Sequence, residues 1–589
     1  MKRSEMNKDY FWNLKDMYES GESWDKAFKE TEKEAKFLQF KGKLGEKKNL
    51  LACLRKQDEV SRKIERLFVY AHMLHDQDTS DAQNGTYISR AQGLLVRLNA
   101  ETAYMLPELT ALDESVLKGF IADPDFSDYD YMLETVLKSK AHVLGEEAEK
   151  VLALGGEMYA GFRDAFMMVD NADLPFPTVK DGEGNKIKVT HGGYSVCMSS
   201  HDRELRRKAF KAYYKAYIGL INTITATYNG SVKKDVFLAR ARNYSSCLES
   251  ALATEDVVPE VYENLLEAVH SALPIMHRYI AAKKEALGLE QMHMYDMYVP
   301  VLENVDLKLE YEDAYELVKK GLAPLGEEYV ALLQKAFDEK WIDVYENDGK
   351  RSGAYSTGCY EVHPYVLLNY QKTTHDVFTI AHEMGHSIHT YFSNRTQPYA
   401  KADYKIFVAE VASTVNEVLL LRYILSTAED KKLKKYLLSY LLEMIRTTLF
   451  RQTQFAEFEY AAHTMAEKGQ PLTKEVLCKK YLKLNKDYYG KAVVSDKEIS
   501  YEWARIPHFY TPFYVYKYAT GITSALFIAN RILTEGESAV KDYFAFLSSG
   551  GSDNPIDLLK IAGVDLTKKD VFAGAMKVFE ETLEEFLAL

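Results

Sequence analysis

Residues His382, Glu383, Met384, Gly385 and His386 spell H-E-x-x-H. On a helix, residues four apart lie about 6 Å along the axis and about 40° around it. Both imidazoles then leave one face, close enough for a single tetrahedral metal ion to sit between their ring nitrogens. Glu383 follows the first histidine by one residue. From there a carboxylate reaches a water molecule beside the metal without ligating the metal itself. That combination suits zinc-assisted hydrolysis of a peptide bond.

Such a site requires a third protein ligand and an open fourth position. Glu410, 24 residues after His386, is the best candidate. It stands among Phe407, Val411 and Val415, in a run that reads as a largely apolar helix up to Leu421. A lone carboxylate buried there is costly unless a cation meets it. The alternative is a glutamate turned to solvent or paired with an arginine. His389 competes for the third position. Helix positions i, i+4 and i+7 span about 10 Å, so a metal centred on the first two histidines lies far from it. No glycine-mediated turn follows to bring it back, and His389 reads better as a substrate contact or a group behind the ligands. Glu417 lies two turns after Glu410 on nearly the same face, placed to orient a ligand histidine. His375, Asp376 and Asn416 are weaker candidates for that role. Position 414, where a thermolysin-type site carries an aspartate, is a threonine.

The elements that must hold these groups are legible as patterns. Thr374 to Tyr391 carries Val377, Ile380, Ala381, Met384 and Ile388 at helical spacing. Thr373 or Thr374 suits its cap and Asp376 its first turn. Ser352 to Tyr360 is rich in small residues, and Pro364 to Tyr370 reads as a strand. Together they predict a small sheet running into the metal helix. An extended peptide can pair with the edge of such a sheet through its main chain. Gly353, Ala354 and Tyr355 are the substrate-contact candidates, with Gly353 and Gly358 allowing close backbone approach. Further on, Thr511-Pro512 predicts a helix start. His508 and Tyr510 would precede that helix, and Tyr514 and Tyr518 would share one of its faces.

The H-E-M-G-H helix, the F-V-A-E-V-A-S-T-V-N-E run from Phe407, R-I-P-H-F-Y from Arg505 and F-Y-V-Y-K-Y-A-T-G to Gly521 have a common match. Together they resemble the oligoendopeptidase F branch of the M3 (thimet oligopeptidase-like) metallopeptidases. The resemblance is sharp from about Gly353 to Gly521 and loose over nearly the whole chain. It implies a mainly α, large multi-helix, two-lobed fold with a deep substrate channel. It implies one Zn²⁺ per chain on His382, His386 and Glu410, with Glu383 as general base, and internal cleavage of short peptides. It further implies that a histidine and one or two tyrosines after Arg505 stabilise the oxyanion. This carries over onto His508, with Tyr510 and Tyr514 as the chosen phenols and Tyr516 and Tyr518 as alternatives. The spacing there departs from the Gly-rich version of thimet-type relatives. Two rivals stand beside this reading. One is a zinc carboxypeptidase of similar helical build; the other is a peptide-binding protein without turnover, for which an intact Glu383 has no use.

Composition frames the rest. A chain of 589 residues is long for one core, and 47% hydrophobic with 27% charged residues is ordinary for a globular protein. A net charge of −13 argues against nucleic-acid and anionic-membrane partners; oligopeptide substrates are what the resemblance implies, and the oligomeric state is left open. Five scattered cysteines form no CxxC pair and suit free thiols in a reducing compartment. The polar start from Met1 to Asp9 and the absence of a long apolar run predict a cytoplasmic enzyme. Residues 22–67, 80–106, 133–154 and 204–238 read as helices, and 174–190 as a β-hairpin around Gly182 and Gly184. The expected organisation is an N-terminal helical region over 1–200 and a catalytic domain over 201–589. The former includes, by resemblance, an oligopeptidase F N-terminal domain at about 110–190.

Overall fold

Thr373 and Asp376 close on each other. The Asp376 N–H donates to Thr373 Oγ1 at 3.2 Å, and the Thr373 N–H donates back to the Asp376 carboxylate at 2.9 Å. This box starts the metal helix at Thr374, and it runs to Thr396 in a computed structural model that describes residues 1–302, 305 and 307–589. Its apolar stripe is fully used, because Val377, Ile380, Ala381, Met384 and Ile388 are all buried. A second helix, Ile406–Thr427, is buried almost all round from Phe407 to Leu421.

Helices dominate the chain, and the strands are short: β1 Thr178–Lys180, β2 Lys186–Lys188, β3 Met292–His293, β4 Ile342–Asp343, β5 Tyr355–Thr357, β6 Tyr365–Leu367 and β7 Val493–Val494. The expected hairpin is β1 antiparallel to β2, with Val179 opposite Ile187. The expected small sheet has order β4-β6-β5, with β4 parallel and β5 antiparallel to β6, so β5 is an edge strand. Ser356 on β5 meets Ser387 on the metal helix, hydroxyl to hydroxyl at 2.9 Å.

The chain divides into two compact units, each woven from three stretches. Unit 1 comprises 1–143, 306–426 and 525–564; it holds the metal helix, its partner helix and the β4-β6-β5 sheet. Its first stretch contributes the antiparallel pair Lys47–Gln77 and Ala82–Thr102. Unit 2 comprises 144–305, 427–524 and 565–589. There Ile221–Ala241 packs on Gly156–Met168 and Arg451–Glu467, and Pro259–Ala286 packs on Lys569–Leu587. The boundary expected near residue 200 falls inside unit 2, because compactness follows packing between distant stretches rather than chain order.

Several long helical readings break into two. Residues 22–67 divide into Gly21–Glu34 and Lys47–Gln77, 133–154 into Asp130–Ser139 and Glu146–Leu154, and 204–238 into Arg203–Gly219 and Ile221–Ala241. The helix predicted from Thr511 begins instead at Tyr516. Phe513 holds φ +52°, in the left-handed region, and helical geometry cannot pass through it. Tyr514 therefore precedes the helix and Tyr518 lies within it. His508 and Tyr510 sit in the 3₁₀ turn Pro507–Tyr510. Among the described residues no helix is long and apolar enough to cross a membrane, and all five cysteines are free.

Candidate active site

The metal helix and its partner bring three groups together. His382 Nε2 and His386 Nε2 lie 3.2 Å apart, and Glu410 Oε2 lies 3.3 Å from the first and 3.5 Å from the second. Metal bonds of about 2.0–2.2 Å at tetrahedral angles place ligand atoms about 3.3–3.5 Å apart. The three atoms thus form one face of a tetrahedron of the size zinc requires, and two imidazoles with one carboxylate are a donor set zinc takes. The side chains retain 28%, 19% and 44% exposure, so the fourth corner is open to small molecules.

The electrostatics agree with a cation at this point. Burial works against a charge on His382, but hydrogen bonds to Glu410 and Glu417 outweigh it and push its pKa up to about 10. Burial likewise raises the Glu410 carboxyl, yet the two histidines beside it hold it well below the ordinary carboxylate range. Glu417 Oε1 is 2.5 Å from His382 Nδ1. A carboxylate only accepts, so Nδ1 carries a proton, and Nε2 is the nitrogen left for a metal to take in place of its own proton.

Glu383 is buried, with 7% of its surface exposed. Burial raises its pKa above the usual value, and the repulsion of Glu410 adds to this; His382, His386 and the backbone N–H of Ser356 work against it. The edge strand therefore touches the candidate base through its own main chain. Tyr355 is half-buried, whereas Gly353 adopts φ +87° with open space where a Cβ would stand, its carbonyl accepting from Asn369 Nδ2 at 2.8 Å.

Three further groups support the site, and of these only Asn416 was a candidate from the sequence. The Ser413 hydroxyl lies 3.1 Å from the same Glu410 oxygen that faces the histidines. Asn416, fully buried, donates from Nδ2 to the Ala381 carbonyl at 2.9 Å and accepts from the Tyr329 hydroxyl at 2.9 Å. It thereby ties the partner helix to the turn that carries His382. At Gly385 a Cβ would sit 2.6 Å from Ser413 Cα and 2.7 Å from the Ala412 carbonyl oxygen. Only glycine lets the two helices come this close. The signal was present in the glycine of H-E-M-G-H, but its meaning depends on an interhelical distance.

Other candidates are placed elsewhere. Asp376 is consumed by the helix cap, and His375 is exposed. His389 is buried, stacked on Tyr404 at 3.8 Å and tilted against Phe546 at 5.3 Å. Its nitrogens have no partner among the described residues, and burial pushes its pKa down to about 3. It is a packed neutral ring, outside the cluster of three donors.

In unit 2, His508 is exposed and neighbours two phenols. The Tyr518 hydroxyl lies 3.4 Å from its Nε2, and the Tyr514 ring stacks at 5.9 Å. Tyr514 and Tyr518 meet edge to face at 5.6 Å. Tyr510 points away from this group: its hydroxyl is bonded to that of Thr227 at 2.7 Å and its ring stacks on Phe166 at 4.4 Å. Tyr516 is buried as well. Arg242 makes a two-pronged pair with Glu149 at 2.7 and 2.8 Å, an internal tie rather than a free cation.

Comparison with known proteins follows the same lines. Residues 196–578 match peptidase family M3, and residues 108–176 match the family region described as Oligopeptidase F. Oligopeptidase PepF of Bacillus subtilis is 44% identical over 586 residues, covering 99% of this chain and 88% of that protein. A solved structure from Chlamydophila abortus superposes with TM-score 0.95 at 36% identity, covering 100% of this chain and 99% of the other. Oligoendopeptidase-F from Enterococcus faecium superposes with TM-score 0.74 at 35% identity, covering 96% and 98%.

Proposed function

The chain belongs to peptidase family M3, and from that premise we propose that it is a zinc-dependent oligoendopeptidase, cutting internal bonds of short peptides. One observation carries this reading furthest: two imidazole nitrogens and a carboxylate oxygen converge at tetrahedral spacing beside a buried glutamate. His382, His386 and Glu410 would hold the ion. When bound there, zinc supplies a Lewis acid that polarises a carbonyl and makes water more acidic.

The chain's own residues do the rest. Glu383 takes a proton from the attacking water and passes it to the departing amine; its raised pKa suits a group that must both accept and release. Glu417 fixes the tautomer and tilt of His382. The β5 edge pairs with an extended peptide through the main chain, which tolerates many sequences. His508 with Tyr514 or Tyr518 supplies donors to the oxyanion. Tyr510, already bonded to Thr227, is left out of that role. The free cysteines suit a reducing compartment, in keeping with a cytoplasmic enzyme.

The test is mass spectrometry of products from a mixed pool of peptides of about 5 to 20 residues, a range set by a pocket-sized site. Internal cuts that vanish on chelation and return with Zn²⁺ are expected. Glu383→Gln should keep its zinc yet lose about 10²- to 10⁴-fold in turnover. Trimming confined to the C-terminal residue would instead select the carboxypeptidase, and a Glu383→Gln protein with full turnover would remove the base from the scheme.

A further inference from the structure

Unit 2 contains a buried polar network that the proposed chemistry does not use. Glu459, with no exposed surface, lies on the helix Arg451–Glu467. Its Oε1 accepts the Phe513 backbone N–H at 2.8 Å, across 54 residues of sequence, and its Oε2 has no partner among the described residues. One turn on, His463 donates from Nδ1 to the Glu459 carbonyl at 2.9 Å, and its Nε2 is 3.2 Å from Asp235. Lys234 closes the chain of contacts 3.0 Å from the other Asp235 oxygen. Burying a carboxyl with half its valence unmet is costly, so what this group holds must matter.

What it holds is the bend before Tyr514. Phe513 is a bulky residue at φ +52°, a conformation that such residues rarely adopt and that surrounding contacts must enforce. Its ring is gripped by His463 at 4.8 Å and by the edge of Tyr262 at 5.7 Å, and Tyr262 is itself tied to the Ala456 carbonyl at 2.7 Å. The next residue is Tyr514, half-buried beside His508 and Tyr518. A relaxed φ at Phe513 would carry the Tyr514 side chain out of that group. We infer that Glu459, acting through the Phe513 N–H, is a positioning residue that aims the Tyr514 hydroxyl for catalysis. This rests on Tyr514 being an oxyanion donor, as proposed above.

A double-mutant cycle tests it in the full-length zinc-loaded enzyme, with zinc content and KM measured beside kcat. Tyr514→Phe should lower kcat by about 10²- to 10³-fold. Glu459→Leu, which removes the acceptor, should lower kcat by about 10- to 100-fold with zinc content and KM nearly unchanged. In the Tyr514→Phe background the same change should cost less than about twofold, because there is no hydroxyl left to misplace. Glu459→Gln keeps an acceptor for the N–H and should retain kcat within about twofold, a rescue that lost packing alone would not produce. If Glu459→Leu does not fold, Glu459→Asp, which withdraws the acceptor by one methylene, runs the same cycle. Equal losses in both backgrounds, a Gln variant as slow as the Leu variant, or an unaffected Leu variant would each overturn the inference alone. An unchanged Tyr514→Phe enzyme would overturn the role of Tyr514 itself.

Discussion

The three candidate ligands and the His508–Tyr514–Tyr518 group are held still by different means. Around the metal position, side chains do the fixing. Glu417 meets His382 and Ser413 meets Glu410, while Asn416 ties one helix backbone to the other across a contact that only Gly385 permits. Around His508, backbone shape sets the geometry, through a 3₁₀ turn, a left-handed Phe513 and a helix that starts late at Tyr516, and distant side chains grip that backbone at Phe513. Ligand atoms must match a bond length to within tenths of an ångström, and rigid helices supply that precision. Exposure follows the same division, with Glu383 and Asn416 buried and His508 open.

If side chains hold the metal pocket, removing one should act on the metal before it acts on the fold. Glu417→Gln should weaken zinc affinity by about 10- to 100-fold, measured by competition with a chromophoric chelator, while the melting temperature of the zinc-loaded enzyme stays close to that of the parent. Unchanged affinity would break the assignment of Glu417 as the group that orients His382. Gly385→Ala attacks the interhelical contact instead. Its Cβ meets backbone atoms that cannot swing away, so a loss of about 1–3 kcal/mol in stability is expected by denaturant titration, with a lower zinc occupancy. The smallest effect belongs to the other region. Tyr510→Phe removes a hydroxyl bonded to Thr227 and should cost about 1 kcal/mol of stability with kcat within about twofold of the parent. A large kcat loss there, beside a fast Tyr514→Phe enzyme, would exchange the roles of the two phenols.

The sequence was most transparent where spacing alone carries meaning. H-E-x-x-H is a local geometric statement, and Glu410 and Glu417 follow from the seven-residue step of a helix whose apolar neighbours announce its burial. The hairpin and the edge strand were readable from alternation and small residues. What stayed hidden depends on distances between elements. Ser413 looks like any helix serine until a ligand carboxylate is set beside it. Thr511-Pro512 has the chemistry of a helix start, yet Phe513 turns left-handed, its N–H bonded to a carboxyl 54 residues away, and the helix waits until Tyr516. The breaks within the long helical readings fall at or near Gly42, Gly45, Gly145 and Gly219, which apolar periodicity alone passes over. His389 shares the stripe of the two ligand histidines, yet its ring is taken up by Tyr404 and Phe546.

The interleaving of unit 1 has a consequence for how the protein comes into being. The segment with its candidate metal ligands is translated well before residues 525–564, which complete the same unit. That last stretch supplies Phe546 against His389, and it supplies the Ser548 carbonyl that accepts from Thr396 and Gln397 at 2.6 and 2.8 Å, at the far end of the metal helix. Segments fold as their partners emerge from the ribosome. The metal helix therefore gains its final support only when synthesis is nearly finished. A nascent chain carries its candidate catalytic residues without the scaffold that would hold them, and no single contiguous piece of the gene encodes that scaffold alone.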